Sequence, residues 1–246
     1  MSDLTKSTAT KSNLGNKNAV DLVTSYSTMP LTVDCVIFGF DDNSLKVLLM
    51  KSDLPQFHEK LSLLGDQVHS HEELDTAANR VLVERTGMKK GHLEQVHTFS
   101  QLNRHPGGRV VTTVYASLIN IKDYSLGISD HKLVWQPVTK VVEMAFDHKE
   151  ILDHCFGWLQ KRIQEHPLAL NLLPEKFSLR QLQNVYEAIL DTQIDRRNFR
   201  KKFASMGLLI DTNEMETGVT HRPGKLYKFN FEQYQLRKKH WVGIDF

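Results

Sequence analysis

The chain has 246 residues, 40% hydrophobic and 24% charged, with a formal net charge of +2, the composition of an ordinary globular protein with room for one large domain or two modest ones. No apolar run approaches a membrane span, the polar N-terminus is not a signal peptide, and two cysteines, Cys35 and Cys155, suit a reducing cytoplasm rather than a disulfide framework or a zinc site. The twelve histidines show no metal-ligand spacing, so neither a metal nor a cofactor is expected. Charge divides the chain near Pro167: residues 166–246 carry 13 Lys and Arg against 9 Asp and Glu, and the preceding residues carry 18 against 20.

In chain order, residues 1–27 are rich in Ser, Thr, Asn and Lys and are expected to form a weakly ordered arm. "LTVDCVIFGF" (31–40) and "LKVLLMK" (45–51), separated by "DDNS", predict a β-hairpin. A loop follows, with "HSH" exposed. Then Leu74, Ala77, Ala78, Val81 and Leu82 recur at three- and four-residue steps, with Glu72, Glu73 and Asp75 near the first turn and Gly87 at the end, which predicts a helix. Strands are expected at "LEQVHTFSQL", at "GRVVTTVYASLIN" after the turn "HPGG", and at "HKLVWQPV". A helix from about Asp147 to Gln164 carries one apolar stripe, with His148 and His154 at its rim.

Residues 63–88 resemble a Nudix box: glycine, five residues, Glu, seven residues, then Arg-Glu-apolar-any-Glu-Glu-any-Gly. Counting back from Gly87, Glu72, Arg80, Leu82 and Glu84 fall on the pattern, whereas Asp66, Val81 and Arg85 replace a glycine and two glutamates. In that family the glutamates hold Mg²⁺ or Mn²⁺ against a pyrophosphate. Val81 offers no lone pair and Arg85 is a fixed cation, so metal-assisted hydrolysis is not expected. Glu72 and Glu84 then read as a solvated helix face. The element order over residues 28–166 implies an α/β/α sandwich with a mixed sheet.

After Pro167 the pattern changes. Ser178 and Gln181 make a capping box before an apolar face of Leu179, Leu182, Val185, Tyr186 and Ile189. Asp195 caps a second helix that buries Phe199, Phe203 and Met206 and stops at Gly207, and "LLID" and "KLYKFN" flank a turn-rich wing. Helix, helix and hairpin over residues 167–246 predict a winged helix; a plain helical cap with a surface hairpin leaves "RRNFRKK" and "HRPGK" unexplained.

"NLLPEKFSLRQLQNVYEAILDTQIDRRNFRKKFASMGLL" with "RPGKLYKF" resembles the C-terminal domain of the Nudix-related transcriptional regulators, in which a Nudix-like sensor precedes a winged helix. The family includes an ADP-ribose-sensing repressor of NAD metabolism and sugar-catabolism regulators. "DCVIFGF", "EQVHTF", "DHKEILD" and "HPGGRVV" resemble the arabinose-responsive type. The resemblance implies a homodimer on an inverted-repeat operator, with residues 28–166 as effector and dimer domain. Arg196, Arg197, Asn198, Arg200 and Lys201 are expected in the major groove, and Arg222 and Lys225 in the wing at phosphates or in the minor groove. For the effector, Asp66 places negative charge where phosphate would lie, which favours a neutral sugar bound by Asp66, Gln67, Arg104, His105 and Arg109. A hydrolase or sensor acting on ADP-ribose is the alternative, and an interaction module without DNA affinity a third.

Overall fold

The structure is a computed structural model that describes residues 29–41, 44–52, 54–88, 92–123, 133–220, 222–237 and 243–244. The arm expected over residues 1–27 and His221 of the wing lie outside these residues. The chain runs β1 (Leu31–Phe40), β2 (Leu45–Lys51), β3 (Leu61–Ser62), β4 (Leu64–Gln67), α1 (Leu74–Thr86), β5 (Glu94–Phe99), β6 (Val111–Asn120), β7 (Val134–Pro137) and α2 (His148–Glu165). It continues through β8 (Phe177–Ser178), α3 (Leu179–Leu190), α4 (Arg196–Met206), β9 (Leu209–Met215), β10 (Lys225–Phe229) and α5 (Phe231–Arg237).

β1 is the centre of a mixed sheet. Its near-continuous apolar run is that of a strand covered on both faces, and its side chains alternate between them. Val33, Cys35 and Ile37 pack with Ala77, Ala78, Val81 and Leu82 of α1. Val36, Phe38 and Phe40 belong to the opposite cluster, with Ile151, Leu152, Cys155, Leu159 and Ile163 of α2. The strand order is β3-β2-β1-β6-β5, with β4 paired to β1 and β7 to β2. The hairpin β1–β2 is antiparallel, whereas β6 runs parallel to β1 from Leu31 opposite Val111 to Phe40 opposite Asn120. This is the mixed α/β sandwich that the pattern predicts.

The structure departs from the sequence reading before α1, at the start of α2 and after β10, where α5 is a helix that the pattern does not predict. The segment taken as a loop before α1 contains β4, antiparallel to β1 with Cys35 opposite Leu64 and Thr32 opposite Gln67. "LGDQ" lacks β-branched and aromatic residues, so pairing to β1 makes the strand where propensity does not. His148, expected at the rim of α2, is buried instead.

The second half is a winged helix. Ser178 and Gln181 close the expected capping box on α3, Asp195 caps α4, and Gly207 ends α4 in the left-handed region at φ 62. β8, β10 and β9 form the three-stranded sheet of the wing. The two halves share apolar packing: Phe177, Leu182, Val185, Tyr186, Ile189, Phe199 and Phe203 join the same cluster as α2. The connecting segment joins it too, as a 3-10 turn over Leu168–Leu172 that buries Ala169 and Leu172. Tyr186 Oη donates to the Ile163 carbonyl at 3.4 Å and Gln160 Nε2 to the Ile189 carbonyl at 2.9 Å.

Candidate functional site

A cleft of about 290 Å³ opens where β1 and β4 meet the segment before α2. Four of the five expected effector residues line it: Asp66, Gln67, Arg104 and His105. Arg109 does not, and its guanidinium donates to the Ser100 carbonyl. Arg104 is only 8% exposed, donates twice to Asp147 at 2.9 Å, and lies 3.8 Å from Asp34. Asp34 accepts from Thr112 Oγ1 at 2.7 Å and stands 3.6 Å from His148 Nε2. Because His148 Nδ1 accepts from the Leu63 N–H at 3.0 Å, the proton of the neutral ring sits on Nε2, facing Asp34. Burial pushes that imidazole below the ordinary histidine value. The floor is therefore a paired network of two carboxylates, one guanidinium and a neutral histidine, as buried charge requires.

Above this floor Phe146 stacks on His105, with ring centroids 5.1 Å apart and planes 11° apart. Phe146 holds a φ of 54, a costly backbone conformation for a bulky residue and a frequent companion of ligand sites. Phe146, His148 and Arg85 all line the cleft and were not among the expected effector residues. For Arg85 the signal was present, since it occupies a box position reserved for a metal ligand. Phe146 and His148 gave none, because an aromatic residue and a histidine at a helix start are compatible with any surface.

Arg80 gathers what remains of the box. Its guanidinium donates to the Glu72 carboxylate at 3.0 and 2.8 Å, to Glu84 at 3.2 Å and to the Gln67 carbonyl at 2.8 Å. The Glu72 side chain is only 5% exposed, which corrects its reading as part of a solvated face. The Arg80 hydrogen bonds, with a second from the His69 N–H, hold its carboxyl down to about 2. Val81 is buried against the sheet, and Arg85 lies 3.5 Å from Asp66, which is also 3.7 Å from Arg80. A hard divalent cation needs several free oxygen ligands, and these carboxylates face guanidinium groups instead. Among the described residues no three His, Cys, Asp or Glu side chains assemble as metal ligands. The residues present do not fit the Nudix cation.

In the winged helix, Phe199 and Phe203 turn inward beneath Tyr186, which leaves Arg196, Arg197, Asn198, Arg200 and Lys201 exposed on the other face of α4. Among the described residues these four cations have no ion-pair partner. The turn before α4 is clamped by side chains that sequence reasoning passed over: Gln183 Nε2 donates to the Ile194 carbonyl at 2.8 Å, and the Ile194 N–H donates to Glu187 at 2.9 Å. The wing differs. Lys225 is paired with Asp211 at 2.6 Å, Lys176 with Glu214 at 2.6 Å, and Lys228 with Glu175 at 2.6 Å. Arg222 is exposed. Free positive charge is therefore concentrated on α4, while the described lysines at the wing face acidic neighbours.

Residues 169–229 match the NrtR DNA-binding winged helix domain. The chain is 33% identical over 218 residues to the ADPR responsive transcriptional repressor NtrR of Acinetobacter baylyi, covering 86% of each protein. NrtR of Shewanella oneidensis, solved in complex with a 27mer DNA, superposes with a TM-score of 0.74 at 30% identity, over 83% of this chain and 95% of that one. The Nudix domain of the same protein, solved with ADP ribose, gives a TM-score of 0.50 at 27% identity over 58% of this chain and 94% of that one. A Nudix-type sandwich that carries a winged helix with a free basic helix defines a DNA-binding transcriptional regulator. By fold, and by identity along most of its length, this chain belongs to the NrtR family of Nudix-related regulators. No described helix is long and apolar enough to cross a membrane.

Proposed function

We propose that the protein is a transcriptional repressor that binds an inverted-repeat operator as a homodimer through α4, and whose affinity is set by ADP-ribose bound in the cleft beside β4. The observation that carries the DNA reading is the row of unpartnered cations on the exposed face of α4, spaced for guanine edges and phosphates. A two-fold dimer reads a palindrome, which makes residues 28–166 the effector and dimer domain and residues 167–246 the DNA reader. A neutral sugar is favoured over a phosphate only where the Asp66 charge stands unbalanced. Asp66 lies within 3.5 Å of Arg85 and 3.7 Å of Arg80, so its charge is balanced and phosphate is no longer repelled. The Acinetobacter baylyi repressor responds to ADPR and the Shewanella oneidensis Nudix domain was solved with ADP ribose, whereas the sugar type has no such support. The pairing of Glu72 and Glu84 with Arg80 supports binding without hydrolysis.

The test is a gel shift on the duplex upstream of the protein's own gene, with and without ADP-ribose. A salt-sensitive shift that ADP-ribose alters and that Arg197→Ala with Arg200→Ala abolishes is expected. A shift untouched by the double variant overturns the assignment of α4. A shift that responds to pentoses or hexoses but not to ADP-ribose overturns the effector. Turnover of ADP-ribose with Mg²⁺ or Mn²⁺ that Glu84→Gln removes restores the hydrolase.

A further inference from the structure

The two ends of α2 serve different halves of the molecule. At its start, Asp147 precedes the first turn and accepts twice from Arg104, and Phe146 and His148 line the cleft beside β4. At its finish, the Gln164 carbonyl accepts from the Ile244 N–H at 2.6 Å, and a hydrogen bond of 3.0 Å joins His166 Nδ1 to Tyr234 Oη of α5. Its 18 residues form one uninterrupted helix, a rod of about 27 Å. α5 continues the line to the DNA reader, where Arg237 Nη1 donates to the Met206 carbonyl at 2.5 Å, at the end of α4. A guanidinium is favoured there, since the last carbonyls of a helix carry its negative pole. At the opposite end of α4, the preceding turn is clamped to α3 by Gln183 and Glu187. A helix held at one end pivots, whereas a helix held at both ends follows its supports. α5 and Ile244 lie beyond residue 229, where the match to the winged-helix domain ends, so both are additions to the DNA-binding module.

We infer that α5 is a strap that makes the tilt of α4 follow α2, and that occupation of the effector cleft reaches the operator through Tyr234 and Arg237. The inference rests on the reading of that cleft as the ADP-ribose site. A ligand against Phe146 and His148 meets the start of α2, and the rod carries a displacement to His166. Shifts of about 1–2 Å between packed helices are a common form of switching. Phe146, held at a φ of 54, stores backbone strain that a ligand relieves or enforces. With α4 gripped at both ends, the displacement turns its cationic face relative to the groove. Without the grip at Met206, α4 keeps its seat on α3 and the displacement is lost. Tyr234 and Arg237 are thus positioning residues, since neither lines the cleft nor belongs to α4.

The test measures operator affinity of the full chain by fluorescence anisotropy, with and without saturating ADP-ribose, and ADP-ribose affinity by calorimetry without DNA. Saturation is expected to change the operator affinity of the native chain by about fivefold or more. In Tyr234→Phe with Arg237→Ala the change is expected to fall below about twofold, while operator binding persists and ADP-ribose affinity stays native. Arg237→Lys alone keeps a donor for the Met206 carbonyl and is expected to retain the response, as is Glu232→Gln on the same helix. Arg237→Ala alone, at an exposed position, serves if the double variant does not fold. An undiminished response in the variant overturns the strap and leaves the effector reading standing. A native chain that binds the operator yet ignores ADP-ribose overturns the effector reading, and the strap with it. Loss of ADP-ribose affinity in the double variant, or loss of the response in Glu232→Gln, also overturns the strap, because the damage is then general.

Discussion

Gly65 sits in β4 opposite Asp34, and a methyl group on it would meet the Asp34 carboxylate oxygen at 2.2 Å and the Val33 carbonyl at 3.0 Å. Asp34 is itself held by Thr112 and has little room to yield, so Gly65→Ala is expected to cost about 1–3 kcal/mol, the scale of overpacking. A thermal melt checks this; an unchanged midpoint shows that the Asp34 network moves freely. His148 sets a pH dependence. Its folded value lies below the ordinary 6.5, so the unfolded chain takes up a proton that the native state refuses. The stability tied to the neutral ring is therefore complete above about 6.5 and is lost as the pH falls from there toward the folded value. Melting midpoints at successive pH values between 7 and 5 should decline, and the decline should flatten in His148→Gln; an equal slope in both removes His148 as its source. None of this network was legible in the sequence. Asp34 meets Thr112 across 78 positions and Arg104 meets Asp147 across 43, and a single sequence does not say which distant polar residues share a burial site.

Elements whose information is local were read well. The Ser178–Gln181 box, the Asp195 cap and the left-handed Gly207 each depend on residues within a turn of one another, and each stands where the pattern put it. β4 escaped because its partner, rather than its own residues, makes it a strand. The helical fate of "FEQYQLR", α5, was not anticipated at all, its seven residues being too short for a periodic signal. The contrast between α4 and the wing leads to a measurable consequence. Each phosphate neutralised by a lysine or arginine contributes about 0.9 to the slope of log affinity against log salt. Replacing Arg200 and Lys201 together should lower the magnitude of that slope by about 2, because neither is engaged within the protein. Lys225→Ala should lower it by less than about 1, since Asp211 already holds that ammonium. Fluorescence anisotropy across a potassium chloride series distinguishes the two, and equal losses would place the wing on a par with the helix.

At the scale of the molecule, the change in charge and composition near Pro167 announced two halves, but not their common packing. Apolar periodicity tells which face of α2 or α3 is buried and is silent on what buries it. The shared cluster, continuous through Ala169, Leu172 and Phe177, leads us to expect one cooperative unfolding transition by calorimetry, with equal calorimetric and van't Hoff enthalpies. Two resolved transitions would mean that the halves unfold independently. The same arrangement bears on how the chain is made. Synthesis delivers the sheet and α2 first, and the apolar groups of α3 and α4 leave the ribosome later. Until Phe203 has emerged, the growing chain holds half of an apolar cluster without its complement, exposed to other nascent chains and to chaperones. The amount of finished regulator in a cell is then governed partly by how quickly translation crosses the 39 residues between Ile163 and Phe203.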